Sequence, residues 1–458
     1  MNARLPTRAD LPGPREIPVV GSLVEFAQDP LLFLSALPAR YGDMSSYRMA
    51  EMRVVALSHP DLVEELLLRN HQSTHKDAIY ELLHPLLGEG LVTAEGDKWK
   101  AHRKLVAPSL TRRHVERYAE TMVDCAAELA AELGHGTVRD LHHDMSLVTQ
   151  RIVLRTLFGA DIEVDVERVG ELVEGVMEAF VREARTWRRF LPAAILTPSR
   201  RRRVALIAEL DALLVRIIEA RRQLPAGRDL LSRLIDARDD EGRGFDDVEL
   251  RDEAITMFVA GHETTALNLT YTWLLLAAHP DIQQRIHAEL EMVLGDSAPT
   301  PESMGELRLL TAAVKESLRL FPPAWAFGRE AQVDIELGGK TIPAGYQIVI
   351  SPWVIHRDQR WFDHPERFDP DRWLDGRTDE LPRMAFLPFG GGPRVCVGNH
   401  FAMMEAVLVL AVLLREVRLM PLGPVPPPLL PTVTLRPAGP VPVRLTRRRR
   451  PGGSAEPR

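Results

Sequence analysis

Cysteine occurs twice in the 458 residues, at Cys125 and Cys396, and only the second has neighbours that could put its sulfur to work. Cys396 lies in FGGGPRVCVG, residues 389–398. A thiolate that binds a metal needs an accessible loop, nearby backbone N–H donors and positive potential. Gly390, Gly391, Gly392 and Gly398 would let the backbone approach a flat cofactor. A helix starting just after the cysteine would turn its N-terminal N–H groups toward the sulfur and favour the anion. Arg394, two residues before Cys396, could reach a carboxylate on the same ligand. A glycine-rich turn with an inert cysteine is the plainer alternative. The full spacing Phe-x-x-Gly-x-Arg-x-Cys-x-Gly is far more specific than that. Cys125, in the Ala-rich amphipathic TMVDCAAELAAEL, reads as a small buried apolar residue.

Three other groupings could serve such a centre. Glu316 and Arg319, in KESLRLFPP, are three apart and share a helix face; alone they would be an ion pair of little worth. Ala260-Gly261-His262-Glu263-Thr264-Thr265 interrupts a long apolar stretch with poor helix formers. A threonine hydroxyl bonding back to a carbonyl one turn earlier can open a helix there, freeing Thr264 and Glu263 for proton traffic. Trp99 and Arg103, in GDKWKAHRK, are four apart on one face.

These motifs together resemble the cytochrome P-450 family. Phe389, Gly392, Arg394, Cys396 and Gly398 match its haem-binding loop, with Pro393 stiffening the turn. The resemblance implies haem b (iron protoporphyrin IX), with Cys396 as the iron ligand and Ala260 against the cofactor. It implies that Trp99, Arg103, Arg329 and Arg394 hold the propionates. His102 is a weaker candidate, and His356 is expected at the surface. It further implies that Glu263 and Thr264 form the acid–alcohol pair that delivers protons, and that Glu316, Arg319 and Arg367 form a buried structural triad. Arg367 belongs to Pro365-Glu-Arg-Phe368 and is followed by Asp369-Pro-Asp-Arg-Trp373. Ile79, Tyr80, Leu83, Leu87, Phe258, Trp325 and Phe327 fall where the family contacts substrate. They are mostly apolar, which points to a lipophilic small molecule, a fatty acid or a terpenoid. The implied activity is an oxidoreductase, a haem-thiolate monooxygenase that hydroxylates with dioxygen. A peroxide-driven peroxygenase and a non-enzymatic haem sensor are the alternatives.

The elements that must position these residues are mainly helical. The sequence predicts a hairpin over 44–58, and helices at 59–70, 112–133 and 204–222. The longest helix should begin at Asp246, with Glu249 in capping-box position, and end at His279 before Pro280. Strands are expected over 333–351, and a final helix after Gly398. The fold class is therefore mainly α, a P-450 fold whose large helical domain surrounds haem with small β-sheets. One domain over 1–458 is expected, with 1–10 and 446–458 as flexible tails.

A net charge of −7, from 64 acidic and 57 basic residues, argues against nucleic acid as a partner. No leader and no transmembrane segment is legible; the longest apolar run, 406–414, is far below the roughly 20 residues that span a bilayer. With two cysteines a Cys₄ iron–sulfur cluster cannot form. Electrons must then come from a separate ferredoxin or flavodoxin and its reductase. The expectation is a cytoplasmic monomer.

Overall fold

The computed structural model describes residues 9–134, 136–159, 166–184, 197–225 and 227–448. Its axis is the helix Asp247–Ala278. Asp246 accepts the Glu249 N–H at 2.8 Å, and the Glu249 carboxylate accepts the Asp246 N–H at 3.2 Å, which completes the capping box. At 32 residues the helix is about 48 Å long. Beyond its exposed first turn, where Val248 is 68% exposed, the helix is enclosed by the rest of the fold. It packs on Leu141–Phe158, Arg308–Leu320 and Asn399–Glu416, and from Thr265 to Leu276 every residue is buried. The helix Asn399–Glu416 is likewise buried from Met404 to Leu414, because its sequence there is apolar nearly all round.

A five-stranded sheet lies beside this helical body. Its order is Met44–Met49, Met52–Leu57, Gln347–Ile350, Phe327–Ala331 and Thr74–Lys76. The first two strands form the expected hairpin, with Met44 opposite Leu57. Thr74–Lys76 pairs antiparallel with Phe327–Ala331, so that Lys76 lies opposite Arg329. Two residues some 250 positions apart in the chain are thereby brought together. A second hairpin joins Leu429–Pro431 to Leu435–Pro437.

The inner ends of both expected tails are ordered. Ala9 is buried and donates its N–H to Tyr346 Oη at 2.8 Å, while Thr446 and Arg447 complete the strand Pro442–Arg447. Residues 1–8 and 449–458 lie outside the described residues. Among the described residues no helix is long and apolar enough to cross a membrane.

Candidate active site

A cavity of about 1430 Å³ opens between the central helix, the cysteine loop and the five-stranded sheet. Cys396, Phe389 and Gly390 line one side of it, and Ala260, Gly261 and Thr264 line another. Cys396 lies deep in the protein yet counts as exposed, because its surface faces this void. The loop is fixed by its own backbone. Gly390 N–H donates to Leu387 O at 3.0 Å, Val395 N–H to Gly392 O at 3.1 Å, and Cys396 N–H to Phe389 O at 2.9 Å. Gly392 adopts φ +69°, and a Cβ there would lie 2.3 Å from Leu67 O. Glycine at 392 is required by packing on Leu67, and Gly392 itself does not line the cavity. Burial pushes the Cys396 thiol up, while the Gly398 N–H and Arg103 pull it down.

Cations collect at one side of the void. Arg103 Nη1 donates to Val395 O at 2.7 Å. Arg394 stacks on Trp99, 4.3 Å from the ring centre, and bonds Ala94 O and Glu95. Arg329 is 8% exposed, and the one described hydrogen bond of its side chain is to Gly328 O at 2.7 Å. Lys76 joins them, bonded to Val92 O. Burial, with Arg394 and Arg329 alongside, drives the Lys76 ammonium well below its ordinary range. Arg394 falls to about 10, through burial opposed by Glu95 and assisted by Arg329. Like charges held together in this way are costly unless a polyanion lies among them. A lone thiol facing the void, cations at one side and apolar walls elsewhere suit an iron porphyrin and its two carboxylates.

A cytochrome P450 family model matches residues 11–443. The chain belongs to the cytochrome P450 family. It is 37% identical over 414 residues to the cyclooctatin synthase of Streptomyces melanosporofaciens, covering 89% of this chain and 90% of that one. It is 34% identical over 410 residues to the pentalenene oxygenase of Streptomyces avermitilis, covering 88% and 90%. The crystal structure of the cytochrome P450DA heme domain superposes with a TM-score of 0.87 at 26% identity, covering 96% of this chain and 97% of that one. The P450 is thus an oxidoreductase of the monooxygenase type with a haem cofactor, and its mainly α fold with small sheets is that of the family.

The structure corrects several expectations about individual residues. The third arginine on Glu316 is Arg372, not Arg367. Arg319 donates to both Glu316 oxygens, at 2.8 and 2.9 Å, and Arg372 Nε donates to Oε1 at 3.0 Å. Trp373 Nε1 and the Asp369 N–H complete the carboxylate's shell, at 2.9 and 3.1 Å. The Arg367 side chain is exposed, and only its carbonyl takes part, accepting from Arg319 at 3.1 Å. The reason lies in the turn Pro370–Trp373, which aims Arg372 and Trp373 inward. Phe258 is fully buried and lines nothing, since it stands two residues before Ala260 and about 200° round the helix. Ile79, Tyr80, Leu83, Leu87, Trp325 and Phe327 do line the cavity.

His102 turns away from the cavity and binds Glu253 at 2.7 Å. The expected back-bond is present, Thr264 Oγ1 donating to Ala260 O at 2.7 Å, yet the central helix is continuous across 260–265 and does not open. Glu263 is held by Arg436 and Thr434. Burial would push its carboxyl up, but Arg436 and Thr434 keep it below the ordinary range.

His356 is fully buried rather than at the surface. Its Nε2 accepts the Leu387 N–H at 3.0 Å, so Nδ1 carries the proton and donates to Arg319 O at 3.2 Å. The ring thereby ties the arginine helix to the cysteine loop. Burial and the Arg319 charge lower its pKa to about 3. The unfolded chain takes up this proton near pH ~6.5 and the native chain does not. Stability should therefore fall as pH drops from ~6.5 toward about 3, by up to about 1.4 kcal/mol per pH unit from this ring. Urea unfolding across that range should show a shallower slope in His356→Gln; equal slopes would remove His356 from the account.

Sequence reasoning missed Arg372, Lys76 and Arg436. Asp369-Pro-Asp-Arg-Trp373 was a usable signal for the first, as a proline turn followed by a cation and an indole N–H. Lys76 and Arg436 sit in three-residue strands that carry no local signal.

Proposed function

We propose that this P450 uses haem b to insert one oxygen atom from dioxygen into a C–H bond of a lipophilic small molecule, a terpenoid in preference to a fatty acid. The observation that carries this reading is the cavity wall. Ile79, Leu83, Leu87, Trp325 and Phe327 present apolar surface, while the cations Lys76, Arg103, Arg329 and Arg394 gather where the cofactor's carboxylates would sit. Among the described lining residues the remaining charged groups, Asp77 and Glu263, are acids, which cannot anchor a substrate carboxylate. The relatives named for cyclooctatin and pentalenene support the terpenoid class.

Haem, when bound, supplies the redox centre at which dioxygen is activated. Cys396 would hold its iron. Arg103, Arg329, Arg394 and Lys76 would neutralise its carboxylates, with Trp99 fixing Arg394 in plane. Thr264 Oγ1 holds a proton within one helical turn of Ala260, and Glu263 can resupply it. Electrons would come from a ferredoxin or flavodoxin with its reductase, and the protein would work as a cytoplasmic monomer.

The test is turnover with a surrogate ferredoxin and reductase against terpene hydrocarbons, pentalenene included, and against fatty acids. Products one oxygen heavier are expected from the terpenes. Thr264→Ala should cut product on the order of 100-fold or more and raise hydrogen peroxide released per electron. Turnover with peroxide alone and none with the electron donors would sink the reading.

A further inference from the structure

The acid on the central helix is gripped by an element that also walls the cavity. Glu263 accepts from Thr434 Oγ1 at 2.5 Å and pairs with Arg436 Nε. Both partners belong to the hairpin 429–437, whose Leu430, Pro431, Thr432 and Val433 line the same cavity as Glu263. The hairpin is anchored by three hydrogen bonds, to the central helix and to the segment 323–325. Trp325 Nε1 donates to Thr432 O at 2.9 Å, Tyr271 Oη to Leu435 O at 2.9 Å, and the Leu435 N–H to Pro323 O at 3.0 Å. Trp325 itself faces the cavity. A ligand pressing on Trp325 or Val433 thus bears on the segment that holds the acid.

We infer that Arg436 and Thr434 are positioning residues for Glu263, and that the seat of this hairpin determines whether the acid is free to pass protons into the cavity. The inference rests on the reading of Glu263 as the proton-relay acid. Titratable groups face it from more than one element. His262 adjoins it on the central helix, and His142 approaches from Leu141–Phe158. Beyond the pair, Glu174 and Glu178 of the helix Val166–Ala184 lie within electrostatic reach of Arg436. The guanidinium is thus bonded to the Glu263 carboxylate and feels two exposed ones. With further acids in electrostatic reach, Arg436 would not be left as an uncompensated cation if its bond to Glu263 broke. Breaking that bond would leave Glu263 buried with its main counter-charge gone, which favours the protonated, proton-donating form.

The experiment compares haem-loaded wild type with Arg436→Leu, Arg436→Lys, Thr434→Val and the double variant Arg436→Leu/Glu263→Gln. Infrared spectra near neutral pH should show a protonated carboxyl band in Arg436→Leu that is absent from wild type, from Arg436→Lys and from the double variant. Thr434→Val should move the pH at which that band appears in the same direction, by a smaller amount. This readout needs neither substrate nor electron donor. With surrogate donors and pentalenene, Arg436→Leu should shift the pH profile of oxygen consumption upward while leaving the carbon-monoxide spectrum unchanged. No Glu263-dependent band in Arg436→Leu overturns the inference. If Arg436→Leu does not fold, an unmoved band in Thr434→Val overturns it. A carbon-monoxide spectrum without thiolate character in wild type would instead overturn the functional reading.

Discussion

Arg372→Ala is expected to lower stability by about 3 kcal/mol or more and to yield little haem-loaded protein, while Arg367→Ala behaves like the parent. Arg372 and Glu316 are both buried, at 2% and 0% side-chain exposure. Arg319 still neutralises Glu316 when Arg372 is removed, so the cost is the buried charge-assisted hydrogen bond to Oε1, about 1.5–3 kcal/mol, together with the cavity that the lost side chain leaves. Arg319→Ala should be at least as damaging, since Arg319 also donates to His356 O and Pro365 O, at 2.8 and 2.6 Å. Those carbonyls belong to the segment that leads into the cysteine loop, so the loss spreads from the ion pair to the cofactor's cradle. Arg367 contributes a carbonyl that alanine also has, and its exposed side chain should be worth no more than about 0.5 kcal/mol. Denaturant unfolding and haem-to-protein ratio on the three variants would decide the matter. A damaged Arg367→Ala beside a healthy Arg372→Ala would reverse the assignment.

That pair of arginines shows where the sequence stops being legible. The central helix could be bounded to within a residue, because Asp246, Glu249 and Pro280 act locally on the backbone they belong to. The cysteine loop was legible for the same reason, with spacing and turn geometry all within ten residues. Choosing Arg372 over Arg367 requires knowing which way the turn Pro370–Trp373 faces, and packing against Glu316, more than 50 positions away, decides that. Lys76 reaches the cation cluster through strand pairing with residues near 330, and Arg436 reaches Glu263 across 173 positions. His356 looks like a loop histidine until Arg319 and Leu387 close around it. Phe258 was a different failure. It was legible in principle, since the helical period sets it about 200° from Ala260.

Cys396→Ser should reduce monooxygenation to the background of free haem, with the largest effect of any single change in the chain. Serine is nearly isosteric, so the loop's hydrogen bonds, Cys396 N–H to Phe389 O among them, should survive. The cation cluster at 76, 103, 329 and 394 is untouched, and haem should still be retained through its carboxylates. What changes is the donor atom. Burial already pushes the thiol toward its neutral form, and a coordinated metal cation reverses that by stabilising the thiolate. An alcohol begins several pKa units higher, and the Gly398 N–H and Arg103 are too small a counterweight to ionise it in the same place. The variant should therefore bind haem, lose the thiolate signature of the reduced carbon-monoxide spectrum, and oxidise no substrate. A variant that kept that signature would place the iron ligand elsewhere. Cys125 offers no substitute, for it is fully buried and its thiol is pushed up to about 11.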